Sequence, residues 1–184
     1  MVLYAGNLGF TSALDDVLHA AQQLCEQPRI QFIIVGEGPK KQDYLNLAQA
    51  LNLTNIQFLP FQPRERFPEL LASADATLVT LNEQSATTSL PGKTFNYLAC
   101  ARPIIAVAPA ECELSSLIVD GRCGEVVPPG NPAQLANVIA RMGMDEARMV
   151  AMGHNGRELL EAQFSRQRCV GAHEQIFRQA TGKT

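Results

Sequence analysis

The sequence has no surplus of positive charge. Its 184 residues carry 15 lysines and arginines against 18 aspartates and glutamates, for a net charge of −3 and a pI near 5.6. It therefore lacks the basic footprint with which a nucleic-acid-binding domain meets phosphates. Long apolar runs are missing too: the longest aliphatic stretch, Ile104 to Ala108, falls far short of the roughly 20 residues that span a bilayer. No basic, apolar leader is read at the start. The five cysteines (Cys25, Cys100, Cys112, Cys123 and Cys169) form no CxxC pair. Their odd number favours reduced thiols in a cytosolic protein over a disulfide framework. His19, His154 and His173 have no metal-ligand spacing among themselves or with the cysteines, so neither a metal nor any other cofactor is expected.

The familiar phosphate loops are absent as well. Gly92-Lys93-Thr94 and Gly182-Lys183-Thr184 each look like the end of a Walker loop, but the glycine required five residues earlier is Thr87 in one case and Phe177 in the other. Gly36-Glu37-Gly38 opens like a dinucleotide fingerprint, and the third glycine position is Lys41. No Ser-His-Asp or Cys-His constellation, internal repeat, long linker or low-complexity segment is found.

What is present is a repeated switch between short apolar runs and helical periods. Val2 to Ala5 reads as a buried strand, and Leu14, Val17, Leu18, Ala21 and Leu24 recur at helical spacing between Ser12 and about Gln27. Strands are expected at Ile30 to Val35, Asn55 to Phe58, Ala76 to Leu81, around Ile104 to Val107 and at Gly124 to Val127, with helices between them. From about residue 131 the pattern turns helical, beginning at Asn131 as N-cap with Pro132 at the first helical position. Three segments follow, Ala133 to Met142, Asp145 to Met152 and Gly156 to Arg178. Alternating strands and helices imply right-handed crossovers and a parallel sheet covered on both faces. The expectation is one α/β, Rossmann-like domain over residues 1–184.

In such sheets ligands bind beyond the carboxyl ends of the strands. On that rim fall Gly6-Asn7-Leu8-Gly9 after the first strand and Gly36-Glu37-Gly38 after the second, where small residues let a ligand approach the backbone. Lys93 opens the next rim helix, in Ser-Leu-Pro-Gly-Lys. A cation in a first helical turn opposes the helix dipole by about 0.3–1 kcal/mol unless an anion binds there. Phe95, Leu98 and Ala99 read as the core stripe of this helix, with Lys93, Asn96 and Cys100 opposite. On the residues alone, a solvated lysine is as open as a ligand contact for Lys93, and for Asn96 a surface asparagine is the better reading.

Taken in order, "VLYAGNLG" (2–9), "FIIVGEGPKK" (32–41), "NIQFLPF" (55–61), "LLASADATLV" (70–79), "SLPGKTFNYLACARPIIA" (89–106) and "GRCGEVVPPGNPAQLANVI" (121–139) resemble the C-terminal half of a family 4 (group 1) glycosyltransferase of GT-B architecture. The nearest branch is the one acting in capsule, O-antigen and colanic acid synthesis. The resemblance implies a domain that binds a nucleotide-sugar donor, with UDP the expected nucleotide, in a metal-independent retaining enzyme. Gly6, Asn7, Gly9 and Lys93 would face the diphosphate, with Ser89 and Gly92 flanking that lysine. Gly36 and Gly38 would line the cleft, Pro60 and Phe61 would hold the base, and Asn96 would meet the ribose. Relatives carry an E-x7-E motif where this sequence has Thr88 and Asn96, and basic residues in the first loop where it has Asn7 and a region around Ser12. The acceptor-binding N-terminal domain of a GT-B enzyme is missing from the sequence, so the chain alone is expected to be inactive. The last helix is expected to reach towards that domain. The full enzyme would be cytoplasmic, working at the inner face of the membrane on a lipid-linked or saccharide acceptor. Loss of both carboxylates leaves a non-catalytic nucleotide- or partner-binding module as an alternative, and half of a sugar-nucleotide epimerase as another.

Overall fold

The computed structural model describes residues 1–10, 12–86 and 90–181. Six strands, β1 (Val2–Ala5), β2 (Phe32–Val35), β3 (Ile56–Leu59), β4 (Ala76–Thr80), β5 (Ile104–Val107) and β6 (Gly124–Val127), form one sheet. The helices are α1 (Asp15–Gln23), α2 (Lys41–Ala50), α3 (Phe67–Ala72), α4 (Glu83–Ala86), α5 (Lys93–Ala99), α6 (Glu113–Asp120), α7 (Pro132–Met142), α8 (Glu146–Gln163) and α9 (Arg166–Thr181). Every pairing is parallel, in the order β3-β2-β1-β4-β5-β6. This is the doubly wound, Rossmann-like α/β arrangement, with its topological switch between β1 and β4.

Both faces of the sheet are buried, and the strand alternation shows it. Val2, Tyr4, Phe32, Ile34, Leu78, Ile105 and Val107 enter one core with α1, α2 and α7. Leu3, Ala5, Val35, Val79, Ile104 and Ala106 enter the other with α5 and α6. Residues of period two on two covered faces leave little room for polar side chains in the central strands, where β1, β2 and β5 read as near-continuous apolar runs and β4 adds only Thr77 and Thr80. No helix among the described residues is long and apolar enough to cross a membrane.

The C-terminal helices differ from the sequence expectation. Gly153 and Gly156 do not break a helix; both lie inside α8, and the break falls at Phe164 and Ser165. Packing explains it, since a methyl group at Gly153 would meet the Ala101 carbonyl and one at Gly156 the Leu98 side chain. These glycines let α8 lie close against the end of α5, a gain that outweighs their poor helix propensity of about 1 kcal/mol each. The α7 start is as expected: Asn131 Oδ1 accepts from the Gln134 amide at 3.1 Å, with Pro132 at the first helical position.

The switch point has a distinctive seam. β1 pairs with β2 over four residues but with β4 over two, Val2 with Ala76 and Leu3 with Thr77. Beyond them the two strands part, and the side chain of Tyr97 from α5 fills the gap. Its hydroxyl accepts from the Ala5 amide at 3.0 Å and donates to the Ala5 carbonyl at 3.2 Å. A phenol thus replaces the missing strand partner. Tyr97→Phe keeps the packing but strands a buried amide, and we expect a loss of about 1–3 kcal/mol in urea denaturation.

Candidate functional site: a glycine-lined crevice with a half-buried lysine

The loops after β1 and β2 are zipped together by backbone. Gly6 donates to the Val35 carbonyl at 2.9 Å, Leu8 to Glu37 at 2.8 Å, and Lys40 donates back to the Leu8 carbonyl at 2.9 Å. Gly36 makes this possible: a methyl group there would sit on the carbonyl oxygen of Gly6, and one at Gly38 would strike Leu8 and Asn7. Gly36 is accordingly buried beneath the first loop, so its role is to let the loops approach.

The zipper also decides which amides remain free. The amides of Gly6 and Leu8 are engaged by the β2 side, whereas those of Asn7 and Gly9 have no backbone acceptor among the described residues. Because the Gly6 carbonyl faces Gly36, the trans peptide aims the Asn7 N–H the opposite way, out of the β2 side.

Lys93 is brought to the same place. It stands at the start of α5, and its Nζ lies 3.6 Å from the centroid of the Tyr4 ring. The end of the lysine also lies against Gly6, where an added side chain would collide with it. No carboxylate among the described residues pairs with this ammonium. Burial alone lowers its pKa from 10.5 to about 7, because a low-dielectric setting disfavours the charged form. The burial of α5 centres on Thr94, Tyr97 and Leu98; the lysine, expected on the polar stripe, bends back into the crevice.

The remaining sequence candidates scatter. Pro60 and Phe61 follow β3 on the same rim, beyond β2, and both are exposed. Asn96 and Gly92 are exposed on or beside α5, and Ser89 lies outside the described residues, as does Thr88. Tyr4 and Tyr97 were not among the sequence candidates. The available signal was a tyrosine inside an otherwise aliphatic strand, since a buried phenol needs a partner for its hydroxyl. A cavity of about 640 Å³, lined in part by Val2, Gln27, Arg29, Ile105 and Met149, opens at the amino end of the strands, away from the glycine loops.

Residues 1–159 match the family model of the glycosyl transferases group 1. This chain belongs to the group 1 glycosyl transferases. Among its relatives is WcaI of Escherichia coli (strain K12), a glycosyl transferase assigned to colanic acid biosynthesis, which is 38% identical over 117 residues. That match covers 64% of this chain and 28% of WcaI. Among solved structures, sucrose-phosphate synthase from Thermosynechococcus elongatus superposes with a TM-score of 0.82 at 25% identity, covering all of this chain and 46% of the synthase. Anabaena HepE in complex with UDP-glucose shares the fold, with a TM-score of 0.78 at 22% identity over 98% of this chain and 48% of HepE. The group 1 chain described here therefore spans less than half the length of each of these proteins.

The depressed lysine carries a stability consequence. Between about pH 7 and 10.5 the unfolded chain binds a proton at Lys93 that the folded chain does not, so folding stability from this group rises with pH across that window. Measured against Lys93→Met, wild-type stability should climb from pH 7 upwards; a flat difference between the two in pH-dependent urea titrations would show that the lysine is not desolvated.

Proposed function

We propose that this chain is the donor-binding domain of a retaining group 1 glycosyltransferase, taking a UDP-sugar and serving the synthesis of a surface polysaccharide. The observation that carries the reading is Lys93: a half-buried, largely desolvated ammonium without a counter-ion, beside the free amides of Asn7 and Gly9, at the switch point of the sheet. Such a constellation is short of one thing, an anion. A diphosphate would satisfy the amides and restore the full charge of the lysine.

In transfer, the bond between the sugar's anomeric carbon and the diphosphate oxygen breaks and its electron pair ends on the diphosphate, while an acceptor hydroxyl oxygen bonds to the same carbon and its proton passes to the departing diphosphate. Lys93 and the loop amides stabilise the charge that develops there. The reading calls on no metal or other cofactor. Asn96 on the exposed side of α5 would meet the ribose, and Pro60 and Phe61 the base. The UDP-glucose complex of HepE supports the choice of nucleotide, and the assignment of WcaI to colanic acid biosynthesis supports a surface-polysaccharide product; the acceptor would be lipid-linked or a saccharide, met at the inner membrane face.

The acceptor would be held by a second domain. The length of the relatives supports this, as does α9, which buries none of its residues and leaves Ile176 61% and Phe177 67% exposed. The chain by itself would bind donor and transfer nothing. A non-catalytic nucleotide-binding module is the second reading, favoured by asparagine rather than a carboxylate at residue 96.

Titration of the chain with UDP, GDP, ADP and pyrophosphate, followed by amide NMR shifts, tests the assignment. Shifts selective for UDP at Gly6 to Gly9, Pro60, Phe61 and Asn96 are expected, with affinity reduced about tenfold or more in Lys93→Ala. Affinity for UDP should also fall as pH rises above about 7.5, where the terminal phosphate is fully ionised and Lys93 loses its proton. No shift with any of the four ligands would remove the donor site. Transfer by the chain reunited with an acceptor domain separates the enzyme from the silent module.

A further inference from the structure

One buried side chain that the donor reading leaves unused touches two parts of the site at once. Tyr4, on β1, is 1% exposed. The face of its ring carries the Lys93 ammonium at 3.6 Å, and its hydroxyl donates to the carbonyl oxygen of Asn7 at 2.9 Å. Burial pushes the phenol up to about 12, with the hydroxyls of Ser12 and Thr80 close by and Tyr44 the other titratable neighbour. It is therefore a neutral donor at every working pH.

Each contact fixes something that is otherwise loose. A lysine ammonium on a four-carbon stem turns to water unless something holds it, and no carboxylate among the described residues does so. The negative face of the Tyr4 ring is the attraction the structure offers instead. The Asn7–Leu8 peptide is held at both ends, its oxygen by the Tyr4 hydroxyl and its N–H by the Glu37 carbonyl. With that plane fixed and the Gly6 carbonyl packed on Gly36, the loop has one orientation in which to present its free amides.

We propose that Tyr4 is the positioning residue of the anion site, its ring seating the Lys93 ammonium and its hydroxyl fixing the Gly6–Gly9 loop beside it. The proposal rests on the donor-site reading above. Tyr4 does not touch the ligand; it sets the distance between the cation and the amides that do.

A double-mutant cycle on UDP affinity, measured by calorimetry, tests it. Tyr4→Phe keeps the ring and loses the loop tether, and Tyr4→Leu loses both. Tyr4→Leu should weaken UDP binding by about two- to thirtyfold more than Tyr4→Phe does, the range of a cation–π contact. In a Lys93→Ala background that excess should vanish, leaving Tyr4→Leu and Tyr4→Phe alike. In the ligand-free wild type, the Lys93 side-chain methylene protons next to Nζ should show a ring-current upfield shift that Tyr4→Phe retains and Tyr4→Leu abolishes. Equal losses for Tyr4→Leu with and without Lys93 overturn the proposal and leave the donor reading standing. An unshifted Lys93 methylene in the wild type overturns it too, whether or not Tyr4→Leu folds. Failure of the wild type to bind UDP at all overturns both.

Discussion

Where β1 and β4 part, a single phenol hydroxyl takes over from a strand. The hydroxyl of Tyr97 satisfies both the amide and the carbonyl of Ala5, and without it the two strands could not separate at low cost inside a core that excludes water. The separation makes a crevice of the switch point. It also hangs α5 from the end of β1, so the first residue of that helix, Lys93, arrives beside the first residue of the β1 loop, Gly6. Sheet order, seam and site are thus one arrangement.

The charge distribution follows from that arrangement. Several other cations have ordinary partners: Lys41, at the start of α2, reaches Glu37 in the loop before it, and Arg141 and Arg148 both meet Glu125 of β6. These pairs are partly exposed and contribute little individually. Lys93 differs in kind. It gives up hydration without gaining an ion pair, so the ligand-free state holds an electrostatic debit that an anion would cancel. Where a fold keeps such a group, binding is the natural compensation.

Much of this was legible in the sequence, for physical reasons. Buried parallel strands have to be apolar throughout, so Val2 to Ala5 and Ile104 to Val107 announced themselves, and the Asn131-Pro132 pair marked a helix start by its own chemistry. The glycine loops and Lys93 were visible as types that fit an anion site. Their order along the chain carried the family resemblance. The failures have a common cause, which is that contact across the fold does not appear in local spacing. Gly153 and Gly156 looked like breakers until α5 was seen against them. That Gly36 also lies beneath Gly6, with no room for a side chain, was likewise invisible in local spacing. The inward turn of Lys93 depends on Tyr4, eighty-nine positions earlier in the chain, and no helical wheel contains that ring.

The zipped loops have a consequence for how such a domain can diversify. Because a side chain at Gly36 or Gly38 would strike the β1 loop, and backbone bonds tie Gly6 and Leu8 to the β2 side, these two glycines cannot be replaced unless the first loop moves as well, whereas exposed positions such as Asn7 can change. The exposed segment at Pro60 and Phe61 lies beyond β2 and outside this lock. Under the donor reading, the backbone frame at the charged end of the site is fixed by its glycines and the far end is free to drift, so a change of nucleotide preference can arise without rebuilding the frame that handles the diphosphate.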